Sequence, residues 1–309
     1  METFIQQVLN GLVLGSLYSL VALGYTMVYG ILNLINFAHG DVLMIGALTA
    51  LSTVLFLQAT FPDLPGWVLL LAGMATAIPT CVITSLIIER VAYRPLRNAP
   101  RLAPLITAIG VSIVLQTIAM IVWGRNYLTF PQLLPNEPIH LFGATVTVTK
   151  LLVIVLSALI MVGLMVLVNT TRLGRAMRAT AENPRVAGLM GVNPNYVIAL
   201  TFAIGAALAA VAGVMFAATY TVAHFYMGFL PGLKAFTAAV LGGIGNIPGA
   251  MVGGVLLGLI EALGAGYIGQ LTGGILGSHY QDVFAFLVLC GVLILRPSGL
   301  LGERVAERA

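Results

Sequence analysis

Apolar runs alternate with short polar breaks along the whole chain. Runs at residues 9–30, 42–58, 67–88, 104–123, 150–168, 197–219, 249–265 and 284–295 punctuate it. Several reach or approach the roughly 20 residues that carry a helix across a bilayer core. Transmembrane strands would instead alternate over about ten residues. Arginines group in three of the breaks: Arg90, Arg94, Arg97 and Arg101; then Arg172, Arg175, Arg178 and Arg185; then Arg296, Arg304 and Arg308. The positive-inside rule assigns all three groups to the cytoplasm. The break around Asp63 has no basic residue and is assigned outside, as is 126–149 with its three prolines. Trp123 and Tyr127 are expected to anchor at the interface. Parity then fails across 220–280 unless the chain contains a half-helix. The Gly- and Pro-rich LGGIGNIPG at 241–249 interrupts helix, so 235–240 is read as that half-helix. Parity also places the N-terminus outside. The first apolar run has no basic leader or clear cleavage site and is read as a span. The expectation is an all-α polytopic membrane protein of about eight spans plus a half-span, with discontinuous helices, in one domain over 1–309.

Composition narrows this further. Of 309 residues, 60% are hydrophobic and 8% charged, with a mean hydropathy of +1.05. Soluble domains carry roughly 25% charged residues, so this chain lacks the polar surface that water demands. The net charge of +4 reflects membrane-flanking arginines and orientation, not affinity for nucleic acid. Cys81 and Cys290 both lie in apolar runs and read as packing residues. The pairs Gly11/Gly15, Gly249/Gly253 and Gly254/Gly258, with an Ala-rich run over 203–218, have the spacing of close helix contacts.

The longest polar interval, 172–195, predicts two short helices. Residues 172–182 are rich in good helix formers. Asn183 is a favoured N-cap and Pro184 suits the first helical position. Gly191 stands where a helix ends in a left-handed residue. A helix over 184–190 puts Val186, Leu189 and Met190 on one face. A capped helix with an apolar knob, in a basic loop, is built to be gripped by another protein.

The break GILNLINFAHGD at 30–41 gathers Asn33, Asn36, His39 and Asp41 between two apolar runs. Polar groups at membrane depth pair or line wet cavities. The residues read either as a discontinuous helix on a substrate path or as an ordinary cytoplasmic turn with Asn caps. His39 and Asp41 alone do not make a metal site. Glu261 lies inside an apolar run and reads as a path or gate residue, or as an interhelical hydrogen bond. Lys234 is expected to snorkel to the outer interface, and His224 and His279 to lie in external loops. The chain has no GxxxxGK[ST] loop and no HExxH, and Ser16 lacks a GxSxG setting. ATP binding by a P-loop, zinc proteolysis and serine hydrolysis are therefore disfavoured.

Four stretches resemble the LivH-type branched-chain amino-acid permease subunits of ATP-binding-cassette importers, over nearly the full chain. They are GLVLGSLYSLVALGYTMVYGILNLINFAHGD at 11–41, ERVAYRPLR at 89–97, GRAMRATAENPRVAGLMGVN at 174–193 and AAVLGGIGNIPGAMVGG at 238–254. The third is similar to the family's EAA coupling loop, here spanning 170–196. Ala187 and Gly191 keep its Ala-x-x-x-Gly spacing, while Arg185 and Val186 replace its Glu and first Ala. The resemblance implies a non-catalytic transport subunit in a bacterial inner membrane, with no cofactor of its own. It also implies a second related permease subunit, two cytoplasmic ATPases that bind the ATP, and a periplasmic amino-acid-binding protein. Arg175, Arg178, Pro184, Val186, Ala187, Leu189, Met190 and Gly191 would form the ATPase contact. Asn33, Asn36, His39, Asp41 and Glu261 would line the path. A closely similar permease for urea or short amides stays open, as does a channel or secondary transporter without an ATPase.

Overall fold

A computed structural model describes residues 2–97, 99–100, 102–135, 137–141, 143–271 and 280–302. Arg101, His279, Arg304 and Arg308 fall outside the described residues. Helix α1 is Glu2–Leu32, α2 is His39–Thr60, and α3 is Gly66–Ile88. A π turn at Glu89–Tyr93 and a 3-10 turn at Arg94–Leu96 prolong α3. Helix α4 (Leu102–Trp123) is followed by three short strands, β1 (Leu128–Thr129), β2 (Pro138–Leu141) and β3 (Ala144–Thr147). Then come α5 (Val148–Thr170), α6 (Arg172–Glu182), α7 (Pro184–Leu189) and α8 (Pro194–Tyr220). Strand β4 (Val222–Ala223), α9 (Phe229–Gly242), α10 (Ile247–Leu271) and α11 (Gln281–Leu295) complete the order.

The chain is an all-α polytopic membrane protein. Among the described residues, seven helices are long and apolar enough to cross a membrane, and α9 and α11 supply two shorter apolar ones. The eighth full span expected near the C-terminus is thus a helix of 15 residues. The half-helix expected over 235–240 is α9, at 14 residues. It extends back through Pro231, which is tolerated in a first turn because its missing N–H has no intrahelical partner there. Helix α10 likewise starts at Ile247 rather than 249, and the reversal is confined to 243–246, with Gly243 and Gly245 at φ +107° and +94°. The connections after α4 and α8 carry strand pairings that the apolar pattern does not predict. Leu128 pairs with Ala223 in one antiparallel ladder, and β2 with β3 in another.

Helix α1 is the axis of the bundle. Its most apolar window is 89% buried, against 17% for α4 at the periphery. It packs most extensively against α10, antiparallel, through paired glycines. A Cβ placed at Gly15 would stand 2.7 Å from Val255 Cα, and one at Gly11 2.8 Å from Leu259 Cα. Ser19 Oγ donates to Met251 O at 2.8 Å along the same seam. Small residues let backbones meet where lipid offers no competing hydrophobic drive. Gly249 and Gly253 face Gly242 of α9 instead, so the two small pairs of α10 serve two neighbours. The Ala-rich stretch of α8 is buried, with Ala206, Ala209, Ala210, Ala212 and Ala217 at 0% exposure. Cys81 is buried and its Sγ approaches Val42 O at 3.2 Å. Cys290 differs from the packing role expected for it, because its face of α11 is exposed.

Candidate functional site

Thr171 forms the corner between α5 and α6. It closes α5, and its hydroxyl accepts the Gly174 N–H at 3.1 Å to open α6. The last carbonyls of α5 have no helical partners of their own. Arg175 Nη1 donates to Thr170 O at 3.3 Å, and Arg178 donates to Val168 O. Both arginines therefore cap α5, where a cation also meets the negative end of the helix dipole. The resemblance places both in the ATPase contact, and this local role has no counterpart in the sequence pattern.

Helix α7 follows the expected local grammar. Asn183 is its N-cap, accepting from Arg185 N at 3.0 Å and Val186 N at 3.2 Å. Pro184 occupies the first turn. The helix ends at Leu189, one residue short of the expected 190, with Met190 as C-cap. Gly191 takes φ +86°, and the Val192 N–H closes the end on Ala187 O at 3.0 Å. This is a Schellman closure, which needs a residue free to be left-handed. Ala187 is buried, whereas Leu189 and Met190 are 87% and 81% exposed and Val186 is 52% exposed. Three apolar side chains thus project from a fixed frame. Asn183→Ala should destabilise this frame by about 1 kcal/mol. Faster amide exchange at Arg185 and Val186 would register it; unchanged exchange would refute the capping role.

The break at 33–38 lies within the bundle. Helix α1 runs to Leu32 and stops at Asn33, which adopts φ +52° and is exposed. Asn33 is therefore a helix-ending residue, a conformation that Asn tolerates. The chain then turns back, and α2 begins at His39, whose ring lies against Gly24 of α1. Gly24 is two turns before the end of α1, about 12 Å along the axis. Asn36, His39 and Asp41 are each at most 2% exposed. The Tyr93 hydroxyl donates to Asn36 Oδ1 at 3.0 Å. Tyr25 meets the His39 ring edge-on at 4.9 Å. Gln116 Nε2 of α4 donates to Asp41 Oδ1 at 2.9 Å. His39 Nε2 and Asn36 Nδ2 have no hydrogen-bond partner among the described residues. The start of α9 arrives at the same level, since a Cβ at Gly232 would stand 2.8 Å from Gly40 Cα.

Glu261 is not part of this group. Its Oε2 accepts from the Tyr18 hydroxyl at 3.0 Å, and its Oε1 lies 2.7 Å from Lys234 Nζ. Lys234 therefore does not snorkel outward; it is 9% exposed and ion-paired. One cation and one acid in neighbouring apolar runs were the available signal for this pair. Helix α7 is held by α6 and α8, and the break by α1, α3 and α4. They are two separate assemblies on one scaffold. His224 sits in the connection between β4 and α9, stacked on Tyr127 with centroids 4.3 Å apart.

Residues 7–293 match the family described as "Branched-chain amino acid transport system / permease component". The high-affinity branched-chain amino acid transport system permease protein LivH of Escherichia coli is 45% identical over 309 residues, covering 99% of this chain and 97% of that protein. Its counterpart BraD of Pseudomonas aeruginosa is 47% identical over 309 residues, covering 99% and 98%. The probable permease protein LivH of Methanocaldococcus jannaschii is 30% identical over 301 residues, covering 96% and 92%. No solved structure matches the chain. The matched residues span the interior break, α7 and the α1–α10 seam, and the chain belongs to the branched-chain amino acid transport permease family.

Proposed function

We propose that this chain is the translocation subunit of an ATP-driven importer that carries branched-chain or similar hydrophobic amino acids into the cytoplasm of a bacterium. It is a multi-pass inner-membrane subunit and contributes no catalysis itself. A second related permease subunit completes the path. Two cytoplasmic ATPases bind and hydrolyse ATP, and a periplasmic binding protein delivers substrate. The observation that carries this reading, within the family, is the apolar knob of Leu189 and Met190 on a doubly capped helix. Helices of this kind lay an apolar face into a partner's groove. The arginine-rich end that carries α6 and α7 faces the cytoplasm, where the ATPases are.

The polar break supplies the path. Asn36, His39 and Asp41 stand where α1, α2 and α9 meet, and two of their nitrogens lack hydrogen-bond partners among the described residues. A shift of α9 would open these groups to a polar substrate or to water. The test is uptake of labelled leucine, isoleucine and valine into proteoliposomes holding the full complex and its binding protein. Uptake should require ATP inside the ATPase-facing compartment. ATP-independent uptake would overturn the reading in favour of a channel or secondary transporter, and selective uptake of urea or short amides would overturn the substrate class.

A further inference from the structure

One cluster of charge has been given no role by the break or by α7. Lys234 Nζ lies 2.7 Å from Glu261 Oε1 and 2.7 Å from Asp282 Oδ1. Tyr18 stands beside them, its hydroxyl on the other oxygen of Glu261 and its ring 5.8 Å from Nζ. Four helices, α1, α9, α10 and α11, thus converge on one ammonium group.

The two ion pairs are not equivalent. The Glu261 side chain is 3% exposed, so separating it from Lys234 would leave a bare charge in apolar surroundings. The Asp282 side chain is 36% exposed. Its Oδ1 is buried and takes no hydrogen bond from Lys234 or any other described residue, so this contact is a bare ion pair, held less firmly than the hydrogen-bonded pair with Glu261. The chain just beyond α11 also grips the far end of α9: the Leu300 and Leu301 N–H groups donate to Leu241 O and Gly242 O, both at 2.9 Å. Helix α11 and the turn after it therefore bracket α9 at both ends. Two residues before Lys234, at its start, α9 presents Gly232 to Gly40 at the start of α2.

We infer that Lys234 and Asp282 are positioning residues for translocation. Lys234 and Glu261 tie α9 to α10 throughout, while Lys234 and Asp282 form a detachable contact that sets how the start of α9 stands against α2. The inference rests on the transport function proposed above. When the contact opens, Lys234 keeps Glu261 and Asp282 takes up water, so no charge is stranded. An opening of this kind gives α9 two defined positions that partners can bias.

The test uses the complete complex in proteoliposomes and reads ATP hydrolysed per amino acid taken up. Asp282→Asn should assemble normally and raise that ratio by up to about fivefold, since losing about 1 kcal/mol of ion pairing shifts a two-position equilibrium by that factor. Asp282→Glu should restore it. Glu261→Gln should instead reduce the yield of assembled complex. The exchange Lys234→Glu with Glu261→Lys should recover assembly but keep the raised ratio, because Asp282 would then face a carboxylate. A wild-type ratio in Asp282→Asn would overturn the inference. So would failure of that variant to assemble, which would make Asp282 part of the fixed scaffold. If the exchange restored the ratio as well, Asp282 would have no part in positioning. Wild-type complex without ATP-driven uptake would sink the transport reading and this inference together; wild-type uptake with an unchanged Asp282→Asn ratio would sink this inference alone.

Discussion

Gly258→Leu should remove most of the folded protein, while Gly163→Leu should leave it intact. A Cβ at Gly258 would already stand 2.6 Å from Gly11 O, with Gly15 backbone closer still. The obstacle is main chain on both sides, so no rotamer change relieves it. A leucine could fit only if α1 and α10 moved apart along the seam. Overpacking of a close-packed core costs about 1–3 kcal/mol and more where the surroundings cannot yield. Folded proteins have a margin of only about 5–15 kcal/mol. The effect falls on α1, the axis of the bundle, so its loss is not local. At Gly163 of α5, by contrast, nothing lies within 4 Å of a Cβ. Thermal unfolding in detergent distinguishes the two. Equal melting temperatures and yields for both variants would show that the seam does not organise the bundle.

Leu189→Asp or Met190→Asp should abolish ATP-coupled uptake while the protein inserts and assembles its helices normally. Both side chains are nearly fully exposed, so an aspartate meets water and not the core. The frame of α7 depends on Asn183, Ala187 and Gly191, none of which changes. In a partner's groove the same aspartate would forfeit about 1.5–3 kcal/mol of apolar burial. That alone weakens docking by about tenfold to a hundredfold, before the cost of desolvating the new charge. ATPase co-purification and uptake by the assembled complex measure the outcome. Normal uptake by either variant would refute docking through this knob.

What could be read from the sequence was whatever is decided locally. The caps of α7 were legible because Asn183, Pro184 and Gly191 act on backbone groups within a few residues. The spans were legible because the bilayer imposes length and apolarity on each separately. The interior break was legible as a break, but its depth was not. That depth is set by how far α1 continues past Gly24 before the chain returns to His39. The partners of Lys234 were misread for a similar reason. Nothing near it in the chain reveals that Glu261 and Asp282 converge on it, because α10 and α11 deliver them. The β1–β4 pairing escaped notice because it joins two-residue strands that lie far apart in the chain.

The corner at Thr171 also decides where force applied to α7 can go. One residue joins α5 to α6, and its own hydroxyl caps the second helix. Gly174 sits tight against the Val168 carbonyl, which Arg178 also holds. The joint thus has almost no slack, and α5 and α6 behave as the two arms of a bent crank. A pull at the tip of α7 cannot be absorbed as a hinge motion there. It is shared between α5 and α6, and both lean on α1. Because α6 also packs directly on α1 and α8, force at α7 reaches the buried helices at once, and under the proposed function the stroke of an ATPase would enter at the centre of the bundle.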